Sequence, residues 1–278
     1  MAKTMVKNKK SQLITKVKIE KHPKIYWYIA DSYVMARRSI RHITRSVDQL
    51  MSVAMFPIMF MLLNRYVLGG AISTGDVTYA NYLFAGILTQ TLAFGANYTT
   101  INLAFDLKQG IIDRLRSLPM NSSALIVGHV AADLLRNMIS GVIVIVAGFL
   151  VGFRPTASLT EWVLVFALAT LFSLAISSLS AILGLFVKSI EAAQWIGFVF
   201  IFPLTFVSSA FVPTSTMPKV LRVFAENQPV THVINTMRAW LVGTDLGDSG
   251  YMAFAWCVGI ILVSAPLATF IFRRREQV

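Results

Sequence analysis

The sequence predicts an all-α membrane protein with six transmembrane helices. Three observations carry that prediction: a shortage of charge, apolar runs of spanning length, and a lopsided distribution of Lys and Arg. Of 278 residues, 56% are hydrophobic and 14% charged, whereas a soluble domain carries about 25% charged residues. Mean hydropathy is +0.66.

Six apolar segments are long enough to cross a hydrocarbon layer of about 30 Å. They are Leu50–Leu68, Tyr79–Ala104, Ser123–Val151, Leu159–Val187, Glu191–Val212 and Tyr251–Phe272. With these limits, 19 of the 25 Lys and Arg residues fall on one side of the membrane. The opposite loops hold only Arg154, Lys219, Arg222 and Arg238; Arg65 and Arg136 lie within helices. Basic residues are retained on the cytoplasmic side. Both termini are therefore expected in the cytoplasm, in a multi-pass protein of the plasma membrane. The net charge of +12 is topogenic on this reading, and no nucleic-acid partner is expected. No apolar run follows the basic first residues until about Leu50, so a cleaved signal peptide is not expected either.

Around the spans the chain divides as follows. Residues 1–21 form a basic tail. Residues 22–47 place Ile25, Tyr26, Ile29, Tyr33, Ile40 and Ile43 beside Arg37, Arg38, Arg41 and Arg45. Aromatics at headgroup depth with arginines against anionic lipid describe an interfacial helix. Residues 48–272 make the transmembrane domain and 273–278 a cytoplasmic end. Between the fifth and sixth spans, residues 213–250 carry Pro213, Pro218 and Pro229 and no full span. Two short helices fit there, near Lys219–Glu226 and Val230–Val242, dipping into the outer leaflet against protein or a watery cavity.

Polar chemistry inside the spans is sparse. The single cysteine, Cys257, lies in an apolar run, and His22, His42, His129 and His232 are scattered. No disulfide framework or metal site is expected. Asp133 and Arg136 form an i, i+3 pair about three turns into the third span, tolerable as a salt bridge or by snorkelling. No carboxylate is placed near mid-membrane, which argues against a proton-coupled antiporter. Ala169, Ser173, Ser177, Ser180 and Gly184 share one face of the fourth span, a seam for close helix packing; Gly141, Gly148 and Gly152 make a similar face on the third. Gln90, Phe94 and Asn97 share a face of the second span. Trp195, Phe198, Phe202 and Phe206 align on the fifth. Aromatics with a few amides suit a cavity for bulky amphipathic molecules. The same stripe also suits a surface facing lipid or a neighbouring helix.

The loop Phe105–Ser122, FDLKQGIIDRLRSLPMNS, is too polar to span. Ile111, Ile112, Leu115 and Leu118 still give it one apolar face, and Pro119 stops it. Such a face needs lipid or the groove of a partner to cover it.

The run DLKQGIIDRLRSLPMNSSALIVGHVAADLLRN resembles the signature of the ABC type-2 permease family, most closely its daunorubicin-exporter-like branch. The outer segment FVPTSTMPKVLRVFAENQPVTHVINTMRAWLVG, from Phe211 to Gly243, resembles the same branch. Where many members of the wider family place a Glu before a basic-Gly step, this chain has Asp106 and Lys108-Gln109-Gly110.

The resemblance implies a connecting helix at 22–47, a coupling helix at 107–118 and re-entrant outer helices. It also implies a dimer of membrane subunits, identical or not, whose second and fifth spans line the path. In the coupling helix Ile111, Leu115 and Leu118 would enter a groove of the ATPase, Asp113, Arg114 and Arg116 would frame its rim, and Pro119 would close the helix. The path residues would be Gln90, Phe94, Asn97, Trp195, Phe198 and Phe202. Glu226, Gln228 and Pro229, where the outer helices meet, would belong to an outer gate.

The chain contains no G-x-x-x-x-G-K-[ST] phosphate loop, so it is not expected to hydrolyse ATP or to hold a cofactor itself. ATP and Mg would sit on two copies of a separate ATPase subunit. The expected function is ATP-driven export of amphipathic, drug-like, natural-product or lipid-like compounds. Export of a polysaccharide or lipid-linked glycan, or secondary transport, are the alternatives.

Overall fold

The structure, a computed structural model, describes residues 33–35, 37, 47–70, 77–110, 123–187 and 189–276. Among them the chain is mostly helical, without strands. Eight α-helices are defined: α1 Val47–Leu63, α2 Tyr79–Lys108, α3 Ser123–Val151, α4 Leu159–Phe186, α5 Ile190–Phe206, α6 Lys219–Asn227, α7 Pro229–Val242 and α8 Ser249–Glu276. A π-helical turn, Asn64–Leu68, extends α1, and a 3-10 turn, Thr214–Thr216, precedes α6.

Local chemistry sets the ends of these helices. Ser158 and Glu161 form a reciprocal capping box that starts α4, with the Ser158 N–H donating to Glu161 Oε2 at 2.6 Å. Ser189 caps α5 by accepting from Ala192 N at 3.1 Å. Pro229 stands at the first turn of α7, where its missing N–H costs nothing. Gly152, at φ 105°, ends α3 by turning Phe153 N back to Gly148 O at 2.9 Å.

Each of the six expected spans coincides with a helix. Leu125–Val151, Leu159–Phe186 and Ser249–Phe272 are long and apolar enough to cross a membrane, whereas Met55–Val67 and Ile190–Phe206 are shorter apolar stretches. The fifth helix stops at Phe206, six residues before its expected end at Val212. Pro203 and the Ser208–Ser209 turn explain the stop, with Ser208 Oγ donating to Thr205 O at 2.5 Å and accepting from Ala210 N at 3.2 Å. At 17 residues, α5 rises about 26 Å.

The second helix runs the other way, past Ala104 to Lys108. Leu107 and Lys108 therefore belong to α2, and Gly110, at φ 67°, follows its end. Of the interfacial helix expected at 22–47, residues 33–35, 37 and 47 are described; the first four are helical, with Met35 buried against the Leu103, Leu185 and Phe272 cluster. Val47 already belongs to α1. The two outer helices fall where the prolines place them, at α6 and α7.

Helix α2 is the centre of the bundle, packed by α1, α3, α4, α5 and α7, while α8 packs on α4 and α7. Enclosure explains its composition: Thr89, Gln90, Thr91, Thr99 and Thr100 are all buried within the protein. Small residues allow the close approach. A Cβ at Gly184 of α4 would meet Thr100 O at 2.9 Å, and Thr100 Oγ1 donates to Ser180 O at 2.9 Å. Ala169, Ser173, Ser177 and Ser180 are buried on the same seam. On α3, Gly148 makes room for the Phe84 ring, which stacks on Phe153 at 3.7 Å.

Candidate functional site

An aromatic ladder follows the exposed side of α5 and crosses onto α1 and α2. Trp195 meets Phe198 edge-on at 6.3 Å, Phe198 meets Phe202 at 5.0 Å, and Phe202 stacks on Phe206 at 3.9 Å. Phe94 of α2 lies 5.9 Å from Phe198 and 6.0 Å from Phe56 of α1. Phe60 and Phe211 close the upper end against Phe206, at 5.4 and 5.1 Å. Aromatic pairs at these separations attract beyond simple area burial. The end at the start of α5 stays open, since Trp195 is 68% exposed.

The two faces read separately from the sequence thus meet through Phe94 and Phe198. The amides of α2 stand beside them with spare bonding capacity. Asn97 presses its side chain against Gly197 of α5, where any Cβ would overlap it, and its Oδ1 is buried without a hydrogen-bond partner. Gln90, 1% exposed, leaves both amide atoms unpartnered. A buried polar atom left unpaired costs roughly 1–3 kcal/mol, so these amides carry an unmet demand for hydrogen bonds.

The three outer-gate candidates do different things. Gln228 Nε2 donates to Leu204 O at 2.8 Å, Val207 O at 3.0 Å and Thr231 Oγ1 at 3.2 Å, binding the start of α7 to the end of α5. Pro229 begins α7 beside it. Glu226 points elsewhere, accepting from Arg222 Nε at 2.8 Å and Thr214 Oγ1 at 3.2 Å. The Arg222 hydrogen bond holds its carboxyl below the usual range. The coupling candidates Ile111, Asp113, Arg114, Leu115, Arg116, Leu118 and Pro119 lie outside the described residues.

Sequence reasoning missed a buried polar network between α2, α3 and α4. His129 Nε2 lies 3.0 Å from Asp106 Oδ2. One turn on, Asp133 accepts from Thr99 Oγ1 and from Arg136 Nη1, the latter at 2.5 Å. The Arg136 guanidinium also sits 4.6 Å over the Tyr98 ring. Asn137 Nδ2 donates to Ser173 Oγ at 2.6 Å and Leu92 O at 3.2 Å. Asp133 and Arg136 are each 1% exposed. Of the two expectations for Asp133 and Arg136, the salt bridge forms and snorkelling does not, while His129 is not isolated. The available signal was the α3 stripe His129, Asp133, Arg136, Asn137 and Ser140, at helical spacing. Among the described residues no group of three or more His, Cys, Asp or Glu side chains could hold a metal ion.

A central, partly polar helix enclosed by apolar ones, with charges buried between helices, defines a polytopic helical membrane protein. The profile of the ABC-2 type transporter family matches residues 31–242, and the chain belongs to that family. It is similar to the daunorubicin resistance ABC transporter permease protein DrrB1 of Streptomyces coeruleorubidus, 27% identical over 229 residues, covering 82% of this chain and 81% of the relative. A probable doxorubicin resistance ABC transporter permease protein of Mycobacterium tuberculosis is 23% identical over 253 residues, 87% of this chain and 88% of the relative. Nodulation protein J of Rhizobium leguminosarum bv. trifolii is 25% identical over 203 residues, 72% and 76% of the two chains. The family is one of membrane transport subunits, distinct from the ATPase.

Proposed function

We propose that this chain is the membrane-spanning subunit of an ATP-driven exporter of amphipathic, aromatic or lipid-like compounds. Two such subunits cross the membrane with six spans each, both termini in the cytoplasm, and two copies of a separate ATPase dock on the loop that follows α2. ATP-driven closure of the ATPases pushes the coupling segments and turns a central cavity from inward- to outward-facing. The outer helices α6 and α7 dip into the outer leaflet as part of the gate.

The observation that carries the substrate class is the junction of Phe94 and Phe198, with the unpartnered amides of Gln90 and Asn97 on the same helix as Phe94. Rings offer stacking and the amides offer a few directional bonds, a combination suited to flat amphipathic molecules rather than to a long glycan. The names of the daunorubicin and doxorubicin resistance relatives agree with this class. The test is purification with the candidate ATPase and a screen of amphipathic aromatic compounds for stimulated ATP turnover. Turnover indifferent to every such compound but raised by glycan-linked lipids would replace this reading with the glycan one.

The buried Asp106, His129 and Asp133 favour one second reading, ion-coupled secondary transport. Export that survives ATP depletion and collapses with the proton gradient would select it.

A further inference from the structure

At the end of the bundle where α2 begins and α7 finishes, a buried arginine stands without an acidic partner among the described residues. Arg238 of α7 is 5% exposed. Its Nε donates to Tyr82 O at 3.1 Å, Nη1 to Asn235 Oδ1 at 2.9 Å and Nη2 to Ser209 O at 2.6 Å. Its guanidinium carbon sits 3.7 Å over the Tyr82 ring. Every one of these partners is neutral. Among the described residues the ion pairs are His129–Asp106, Arg136–Asp133 and Arg222–Glu226, none involving Arg238.

A guanidinium carries five N–H donors, and the three bonds above leave two. A buried charge lacking a counter-charge is costly, so such groups are normally paired. Arg238 is also part of the wall of an open cavity of about 330 Å³, shared with Tyr82, Asn235, Thr244, Asp245 and Ser249. The carboxylate on that wall, Asp245, is exposed and accepts from Gly247 N at 3.1 Å. It is anchored to its own turn rather than to the arginine. On the topology proposed above, with both termini in the cytoplasm, this end of α2 and α8 faces the outer surface.

We propose that this cavity binds a phosphate-type oxyanion against Arg238, either on a lipid headgroup of the outer leaflet or free in solution. The planar fork of an arginine matches the oxygens of phosphate, and its two spare N–H groups supply charge-assisted bonds. Thr244 and Ser249 add hydroxyls to the cavity wall. The three existing bonds hold the guanidinium in place beforehand, so the anion meets a fixed partner. This site is separate from the aromatic ladder; its outer-leaflet placement rests on the proposed topology, whereas the binding test needs neither the ATPase nor export.

The test uses the full chain in a nonionic detergent, with binding read by native mass spectrometry. The probes are inorganic phosphate, dihexanoylphosphatidylglycerol and dihexanoylglycerol, which lacks the phosphate. Binding of phosphatidylglycerol in clear preference to the glyceride supports the site. Inorganic phosphate binding as well makes the bare group sufficient, and its failure to bind assigns the site to lipid. Thr244→Glu leaves all three Arg238 bonds in place and tethers a carboxylate in the cavity, so it is expected to weaken binding ten-fold or more. Should that variant fail to fold, Asp245→Asn decides, because removing the wall's own negative charge is expected to tighten binding several-fold. Equal binding of phosphatidylglycerol and the glyceride, or parental affinity in the variant that decides, overturns the proposal.

Discussion

Phe94 of α2 and Phe198 of α5 meet at 5.9 Å, and this contact joins the aromatic stripe of one helix to the amide-bearing face of the other. If the joined surface receives substrate, shortening its rings changes which compounds are recognised. Phe198→Ala and Phe202→Ala are expected to shift the half-stimulating concentration of some compounds by about ten-fold while leaving others unchanged, roughly the loss of one aromatic contact of about 1.5 kcal/mol. ATP turnover in the purified complex, measured across a compound panel, checks this. Uniform loss across the panel together with poor expression would assign the rings to packing instead.

Gln228 fastens α7 to the end of α5 through one amide nitrogen. Gln228→Ala strands the carbonyls of Leu204 and Val207, at a cost of roughly 1–3 kcal/mol. A fall in thermal unfolding temperature in detergent is the expected result, and an unchanged temperature would show that water replaces the amide.

Close helix approach makes a sharper prediction. A Cβ at Gly86 would come within 2.6 Å of Ala210 Cα, a backbone atom that cannot swing aside, whereas nothing lies within 4 Å of a Cβ at Gly259. Gly86→Ala is expected to destabilise by about 1–3 kcal/mol. Gly259→Ala, in the exposed face of α8, is expected to be neutral or slightly stabilising. Parallel unfolding curves of the two variants decide it.

The ion pair between Asp133 and Arg136 invites a double-mutant comparison. Arg136→Met alone leaves a buried carboxylate unpaired, worth about 3–5 kcal/mol. Adding Asp133→Leu removes the stranded charge and should recover much of that loss. A double variant as unstable as the single one would mean that Arg136 acts mainly through packing on Tyr98.

Much of this architecture was legible in the chain because hydrophobic length and prolines are local signals. Ser123 and Val151 bound α3 as expected, and Pro218 and Pro229 immediately precede or begin the outer helices. The fifth span was read too long because Phe211 and Val212 continue the apolar run while Pro203 and two serines end the helix, and hydropathy does not weigh a turn. The aromatic stripe was visible as spacing, but that Phe94 faces Phe198 depends on how α2 and α5 pack. The Asp106–His129 contact joins residues 23 apart across a loop, a pairing that no periodicity reveals. Arg238 was counted only as one of four outer basic residues; its burial against Tyr82 depends on contacts 156 residues apart.

On the proposed function, energy enters through the segment after α2, from an ATPase that docks there. Ile111 and Leu115, four residues apart, would share one face of the proposed coupling helix. If that face enters an apolar groove of the ATPase, Leu115→Asp would place there a carboxylate without a partner. The decisive measurement is substrate-stimulated ATP turnover of the co-purified complex carrying that single change, with membrane insertion checked alongside. The account predicts normal insertion, loss of stimulated turnover and export, and reduced recovery of the ATPase. Stimulated turnover and export at the parental level would contradict it.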